Sequence, residues 1–514
     1  MLTRILLLAL ILAPAVGAQH GAAPPSAVAA IEEAILTSSP TVDMNDRFGS
    51  AVAVQGDLAI IGAPGDGDAG DFAGAAYVYS RASGAWQLEA KITGSTGFNK
   101  RFGVSVALDG DTALIGATGE DTDPADDAGA VFVFTRSGTT WTEQARLSAS
   151  DGTASTSTVQ FGNAVALEGD VAVIGAAGDG DANAVRRGAA YVFTRSGGVW
   201  TEAAKLTRPD VDASDNDRFG TAVAIQDDRV FVSTPREEAA PATFGRVFEY
   251  TRAGSSWTQT AELVPAPQPG LSSFGSALAA DGDRVLVGAN LSNAGGAAFT
   301  FVLDGGQWVE ESELRVALPP AGTSGQFGGA VALDGDTALV SSPQWSQGAG
   351  VRRGAVYVFT RSGAVWTERD LILASDGQAE DQFGSAVGLA DGRAMVGAPF
   401  ARVGNETFAG KVYALADLVP VADEASPSAG AALSAPRPNP AAGRATLNLT
   451  LDAPQAVRAT LHDALGRTVA VLHDGDADGT VALSVDASAL APGVYVVRAV
   501  GERLSETRRL TVAR

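Results

Sequence analysis

Carboxylates are the only abundant reactive groups in this sequence, and they come in runs. Gly65 to Asp71 reads GDGDAGD, Glu120 to Asp127 reads EDTDPADD, Gly178 to Asp181 reads GDGD, and Asp210 to Asp217 reads DVDASDND. Clustered carboxylates repel one another and relieve that repulsion by taking a cation, and calcium prefers several oxygens from a loop. Asp66, Asp68, Asp71, Asp179 and Asp181 are therefore the expected oxygen donors of a calcium (Ca2+) site, against the plainer expectation of a solvated acidic rim. There is no cysteine, and the three histidines are His20, His462 and His473. Residues 31 to 418 thus lack both a thiol nucleophile and an imidazole base, which excludes a histidine triad or a histidine-ligated metal there. Two carboxylates alone can hydrolyse a glycoside. No Asp or Glu pair stands out from the acidic background, however, so the chain is expected not to be an enzyme and to need no other cofactor.

The balance of 59 acidic against 36 basic residues leaves a net charge of -23 over 514 residues. Such a surface repels phosphate backbones and anionic membranes, which argues against nucleic acid as a partner. Residues 1–18 read as a secretory signal, with Arg4 in a positive start, Ile5 to Val16 as the apolar core and Val16-Gly17-Ala18 before a cleavage point. No later run approaches the length needed to span a bilayer, so no transmembrane segment is expected in the mature chain.

The elements that must position the carboxylates repeat. Phe-Gly recurs at Phe48, Phe102, Phe161, Phe219, Phe274, Phe327 and Phe383, at spacings of 54, 59, 58, 55, 53 and 56 residues, which is the signature of a repeat architecture. Inside each period the apolar residues alternate, as in FGNAVALEGDVAVIGAA from Phe161, predicting a hairpin. Its turn is read as Asp-Gly at Asp109-Gly110, Asp281-Gly282, Asp334-Gly335 and Asp391-Gly392. A second hairpin, clearest in GAAYVFTRSGGVWTEAAKL from Gly188 to Leu206, turns at Arg-Ser-Gly. Four strands per period follow, with Trp86, Trp141, Trp200, Trp257, Trp308 and Trp366 marking six fourth strands. The seventh period stops after GKVYALADL at Leu418, and Ile31 to Leu36, placed before Phe48 as Leu206 is before Phe219, supplies the missing strand. A ring closed by joining both ends in one blade leaves no open edge. The fold class is therefore all-β: a seven-bladed β-propeller over 31–418, then a Pro/Ala/Ser-rich linker over 419–435 and a small β-sandwich of about seven strands over 436–514.

The repeated FG.AVA…GD.A.IGAP resembles the FG-GAP repeat of integrin α-like propellers, and more closely its compact bacterial variant. Ser-Thr-Pro at 233–235 and Ser-Ser-Pro at 341–343 depart from Gly-Ala-Pro, so the motif residues are not a repeated active site. The integrin-type calcium loop, a DxDxDG between first and second strands, is not carried over, because only a short LDGD turn stands there. TRSGTTW at 135–141 is similar to the Asp-box turn of sialidase propellers, but Arg136 occupies the Asp position; it reads as a hairpin turn carrying a core Trp. Pro436 to Arg514, with its Pro-Asn-Pro opening, Leu-Gly-Arg and Leu-x-x-Gly-Val-Tyr, resembles the C-terminal sorting domain of the type IX secretion system. That resemblance implies export across the outer membrane of a Gram-negative, Bacteroidetes-like bacterium, with the type IX machinery as partner of residues 436–514.

In a four-stranded blade the first-to-second and third-to-fourth turns lie on one side of the ring, and the second-to-third and blade-to-blade loops on the other. Here the first set is short and uniform, and the second is long, varied and acidic, which is where binding residues sit on a rigid scaffold. The expected function is a secreted or cell-surface adhesin-like module binding an extracellular protein or glycan on that second face. The competing readings are a carboxylate-dependent surface hydrolase or lyase, and a structural matrix protein without specific ligand.

Overall fold

The computed structural model describes residues 31–38, 42–82, 84–121, 128–151, 159–180, 187–208, 217–235, 245–266, 272–292, 295–316, 325–346, 351–416 and 418. In the C-terminal part it describes 431–434, 436–437, 443–451, 453–462, 468–490, 493–501 and 504–512. The signal segment 1–18 and Asp181 lie outside the described residues. No helix among the described residues is long and apolar enough to cross a membrane.

Alternating apolar residues give seven four-stranded antiparallel sheets in series. Blade three is typical: Phe161–Glu168, Val171–Ala176, Ala189–Ser196 and Val199–Leu206 pair in sequence order. The first strand of each blade touches the first strands of both neighbours, and the cycle closes from blade seven onto blade one. Second and third strands are almost wholly buried, whereas first strands are half-exposed, as strands lining an axial opening must be. The apolar core lies between blades: Ile60, Ala76 and Val78 of blade one pack with Phe102, Ile115 and Phe132 of blade two. Each motif Phe stacks on aromatics of its own third strand, Phe48 on Tyr77 at 5.3 Å and Phe102 on Phe132 at 5.3 Å, edge to face in both cases. Such pairs add about 0.5–1.5 kcal/mol beyond burial.

The glycines that follow those Phe residues join the blades. Gly103 has φ +89°, a conformation that L side chains avoid, and its carbonyl oxygen lies where a Cβ on Gly62 of the preceding blade would come to 1.9 Å. Two Gly positions therefore require each other across every such boundary. Where the second-strand glycine is replaced, in Ser-Thr-Pro and Ser-Ser-Pro, the serine hydroxyls accept backbone N–H groups from Ala222 (3.0 Å) and Ala330 (2.8 Å). These bonds lie within blades four and six; across the boundary a Cβ on Gly275 or Gly384 of the next blade would come within 2.9 or 3.1 Å of the serine Cβ, so that glycine is still required.

Two readings of the sequence are corrected. The first-strand turn is Gly110-Asp111 rather than Asp109-Gly110, because Asp109 and likewise Asp281 and Asp334 end the strand and the left-handed residue is the glycine itself. Only in blade seven does Asp391-Gly392 form the loop, with φ +52° and +71°. The linker is also shorter than 419–435, since Ala431–Leu433 pairs with Leu449 to Leu451 and buries Leu433 in the core of the second domain. A three-residue apolar strand inside a Pro/Ala/Ser-rich stretch leaves no periodic signal. That domain is a sandwich of a three-stranded sheet, Ala431–Leu433, Arg444–Leu451 and Thr480–Asp486, and a four-stranded sheet ordered Thr468–Ala477, Gln455–His462, Gly493–Gly501 and Leu504–Val512. Arg444–Leu451 alternates exposed and buried side chains along its whole length.

Ile31–Leu36 pairs antiparallel with Lys411–Ala416 as the fourth strand of blade seven. From that strand Glu33 accepts from Arg81 (2.8 Å) and from the Trp86 indole (3.1 Å) of blade one, so the N-terminal strand bridges the first and last blades. Deleting residues 19–40 should expose the edge of Lys411–Ala416 and cause aggregation or a large fall in melting temperature. Glu33→Ala, which keeps the strand but strands two donors, should cost about 1–2 kcal/mol in denaturant unfolding. A deletion that melts with the parent would refute closure by this strand.

Candidate functional site

The short-turn face uses its polar groups to hold the ring. Residues ending the first strands accept from the turn of the next blade: Gln55 from Gly110 N (2.6 Å), Asp109 from Gly169 N (2.6 Å) and Asp281 from Gly335 N (2.5 Å). The backbone oxygen of Asp111 in turn accepts from Arg136 N at 2.8 Å, a bond repeated at Asp57, Asp170, Asp228, Asp283 and Asp336. Arg136 continues to Glu89 of the preceding blade, bidentate at 2.8 and 2.6 Å, and Trp141 Nε1 donates to the same Glu89 at 3.2 Å. These bonds hold the Glu89 carboxyl below its usual range against the opposing effect of burial. Arg136, at the Asp-box position, is thus an inter-blade clamp. Where the partner position is Thr260 instead, the Trp308 indole has no hydrogen-bond partner.

On the opposite face each second-to-third loop is closed by one backbone bond, from Gly74 N to Asp66 O, Gly129 N to Glu120 O and Gly188 N to Asp179 O, all 2.9 Å. The side chains of those same residues turn inward. Asp66 is buried, accepts from the Tyr77 hydroxyl at 2.6 Å and pairs with Lys91 Nζ at 2.7 Å, while Lys91 also reaches Asp68 at 2.6 Å. Asp179 repeats this with Tyr191 (3.0 Å) and Lys205 (2.6 Å), joined by Asp151 from the preceding blade-to-blade loop. In both, the ammonium lies 5.2 Å from the tyrosine ring centroid. Burial lowers the Lys91 pKa, but the bonds and charges of Asp66 and Asp68 outweigh it and leave a net rise. Blade two carries the same arrangement as Glu120, Phe132 and Arg146, with Arg146 at 2.8 Å from Glu120. Phe132 has no hydroxyl, and Glu120 Oε2 is accordingly left without a partner.

The residues expected to bind calcium are therefore distributed as follows. Asp66 and Asp68 meet at Lys91; Asp71 is exposed on the same loop and offers its backbone oxygen to Asn99 N (2.9 Å); Asp179 belongs to blade three, with blade two between. Among the described residues no three Asp, Glu or His side chains converge on a metal position. As placed, Asp66, Asp68 and Asp179 do not fit a calcium ion, because an ammonium already lies where the ion's charge would go, while Asp181 lies outside the described residues. The carboxylate beside this group is also unusual: Asp46, buried and held by Ser38 (3.0 Å) and Asp43 N (2.9 Å), is pushed up to about 6 by burial and, to a smaller extent, by the charge of Asp66.

The triads were legible but not read. Carboxylate and cation occur together at matching positions of blades one to three, Asp66 with Lys91, Glu120 with Arg146 and Asp179 with Lys205, and are absent together from blade six, at Trp345 and Leu371. Correlated exchange between copies of a repeat is a contact signal. The exposed apolar residues on this face were also missed: Phe72, Phe98, Met44 and Phe408 are 38%, 72%, 59% and 43% exposed. Single apolar residues in polar loops carry no period.

The chain is similar to known proteins in two parts. The FG-GAP repeat matches at residues 31–79, 86–134, 141–193, 200–248, 257–301, 308–359 and 366–415, and the secretion system C-terminal sorting domain at 437–513. No curated protein matches it. Among solved structures, a proposed 6-phosphogluconolactonase of Bacteroides uniformis is 10% identical, with a TM-score of 0.43 over 64% of this chain and 86% of that one. Another, of Bacteroides fragilis, is 10% identical, with a TM-score of 0.41 over 64% and 85%.

Three outcomes follow from the triads. Lys91→Met should cost roughly 2 kcal/mol by leaving Asp66 charged and unpaired, and millimolar calcium should restore part of the lost melting temperature while leaving that of the unsubstituted protein unchanged. A calcium-dependent rise in the unsubstituted protein would show that the lysine yields to the ion. Phe132→Tyr should stabilise by about 1 kcal/mol, since its hydroxyl can reach Glu120 Oε2 as Tyr77 reaches Asp66. For Asp46 the folded pKa lies above the unfolded one, so between about pH 4 and 6 the unfolded carboxyl ionises first and stability falls as pH rises. Asp46→Asn should flatten that fall in a series of urea titrations; an unchanged slope would assign it to other groups.

Proposed function

Because this chain belongs to the FG-GAP repeat family and ends in a secretion sorting domain, we propose that it is a non-enzymatic, adhesin-like module that holds an extracellular protein or glycan on its long-loop face. Export follows from the C-terminal domain, which addresses the chain to the type IX machinery and makes it a secreted or cell-surface protein. The display on the outer surface of a Gram-negative, Bacteroidetes-like cell is part of the proposal.

One observation carries the choice of face. The short-turn side commits its acceptors to inter-blade bonds of one repeated pattern. The long loops, by contrast, differ from blade to blade in length and side chains. Against a hydrolase, the loop carboxylates that a glycosidase pair would need are held by lysines: Asp66 and Asp68 by Lys91, Asp151 and Asp179 by Lys205, and Asp376 by Lys411. A carboxylate engaged by an ammonium is not free to protonate a leaving group.

The purified protein should bind a defined component on arrays of glycans and extracellular-matrix proteins. Exchanging the loop at 64–74 for the shorter 290–296 loop should weaken that binding, and exchanging Gly110-Asp111 for Asp391-Gly392 should not. Hydrolysis of an arrayed glycan, or binding lost only with the turn exchange, would refute the reading.

A further inference from the structure

Two neighbouring loop pairs on the long-loop face carry partly exposed aromatic rings on left-handed backbone. Phe72 has φ +57° and Phe408 φ +56°, in the left-handed region where a bulky residue is strained; both are partly exposed, and the Phe408 ring meets Phe400 edge to face at 5.8 Å. They occupy the same repeat position, two residues before the glycine that precedes the third strand; in the other blades that position holds Asp127, Arg186, Thr243, Ala294 and Arg352. Each is tied to the segment entering the next blade: Arg101 N donates to Phe72 O and Arg47 N to Phe408 O, both at 3.0 Å. Asn99 N donates to Asp71 O (2.9 Å) and Asn45 N to Thr407 O (3.1 Å). Directly before those asparagines stand Phe98 and Met44, 72% and 59% exposed. Blade one is flanked on this face by two copies of one device, Phe408 with Met44 and Phe72 with Phe98.

Each copy also carries an arginine at the position before the motif Phe, which is left-handed in all seven blades: Arg47 (φ +55°) and Arg101 (φ +56°). Arg101 Nε donates to Asn99 Oδ1 (2.9 Å), and the Arg47 guanidinium lies 5.9 Å from the Phe400 ring centroid. Neither forms an ion pair among the described residues, in a chain of net charge -23. Asp43 and Asp71 lie on the same loops, so the surface is locally balanced, and an acidic segment meets less repulsion here than over the rest of the molecule.

Resting on the reading of this face as the binding face, we propose that Met44, Phe72, Phe98 and Phe408, with Arg47 and Arg101, form the docking site for a partner protein through an extended segment that alternates apolar and acidic side chains. Phenylalanine, methionine and arginine are the types enriched in protein interfaces, and rigid aromatics beside arginine are their usual anchors. The four Phe and Met side chains are matched better by apolar side chains of a peptide than by the hydroxyls of a sugar, which they cannot hydrogen-bond. The guanidiniums supply the charge complementary to the segment's carboxylates.

The full-length protein is tested on short peptides alternating Phe or Leu with Glu, on the same peptides with Lys or Ser in place of Glu, and on neutral and uronic-acid glycans. The Glu series should bind, and Phe98→Ser should weaken it by about tenfold. Arg101→Gln should reduce both affinity and its dependence on salt. Phe72→Gly should weaken binding while keeping or raising the melting temperature, since glycine relieves the left-handed backbone; a ring present only for packing would lower it. Binding of the Glu peptides that survives Phe98→Ser and Phe72→Gly overturns this site but leaves the binding face standing. Preference for the Lys series, or a glycan signal lost in Phe98→Ser with no peptide signal, overturns the proposed partner. No binding to any probe overturns this site, and if the matrix and glycan arrays are also silent, the reading of the face fails with it.

Discussion

The backbone-to-backbone contact between successive blades, a glycine of one second strand against the carbonyl of the glycine after the next motif Phe, is what the ring depends on. A Cβ on Gly62 would come within 1.9 Å of Gly103 O, and one on Gly397 within 2.0 Å of Gly49 O across the closure. Because the blades approach this closely, the Phe beside each glycine is driven into the inter-blade core, where Phe48, Phe102 and Phe161 are fully buried. The seven apolar clusters between blades follow from that spacing. At the two boundaries that use serine instead, the serine Cβ lies 2.9 or 3.1 Å from where a Cβ on Gly275 or Gly384 would stand, so the glycine of the next blade is still required.

Fixing the gap also divides the molecule's charge. Arginines of the third strands are drawn to carboxylates of the preceding blade and of their own turn, as Arg81 is to Glu33 and Asp57. Lys91 and Lys205 of fourth strands and Lys411 at the start of a third strand meet the carboxylates of the long loops. A chain with an excess of acids thus satisfies its most buried ones internally. Exposed pairs of this kind contribute little each; the buried carboxylates matter more, because an unpaired one would have to stay protonated or destabilise the fold, as the raised pKa of Asp46 illustrates.

The same arrangement separates support from recognition. Bonds of one repeated pattern hold the short-turn face, and triads of carboxylate, aromatic ring and cation hold the necks of three long loops. The residue before each motif Phe is left-handed in every blade without being glycine, from Arg47 and Arg101 to Gln382, so that strain belongs to the repeat, whereas left-handed Phe72 and Phe408 belong to two of the loops. A scaffold that absorbs such strain without losing its register can vary its loops.

The sequence by itself determined the period, the four strands of each blade, the closing role of Ile31 to Leu36 and the second β domain, because strand alternation and turn residues are local and are written seven times over. It also placed the variable loops on one face, since that follows from strand order alone. It did not decide what Asp66, Asp68 and Asp179 do. Their spacing along the chain is that of a calcium loop, but Lys91 and Lys205 reach them from a strand some 25 residues on, and only the stacking of strands within a blade brings ammonium and carboxylate together. Tertiary structure likewise exposed Phe72 and Phe98 together, through backbone bonds between a loop of one blade and the entry to the next. Contacts made across the sheet depend on register and on blade packing, and neither of these is a property of any short stretch of sequence.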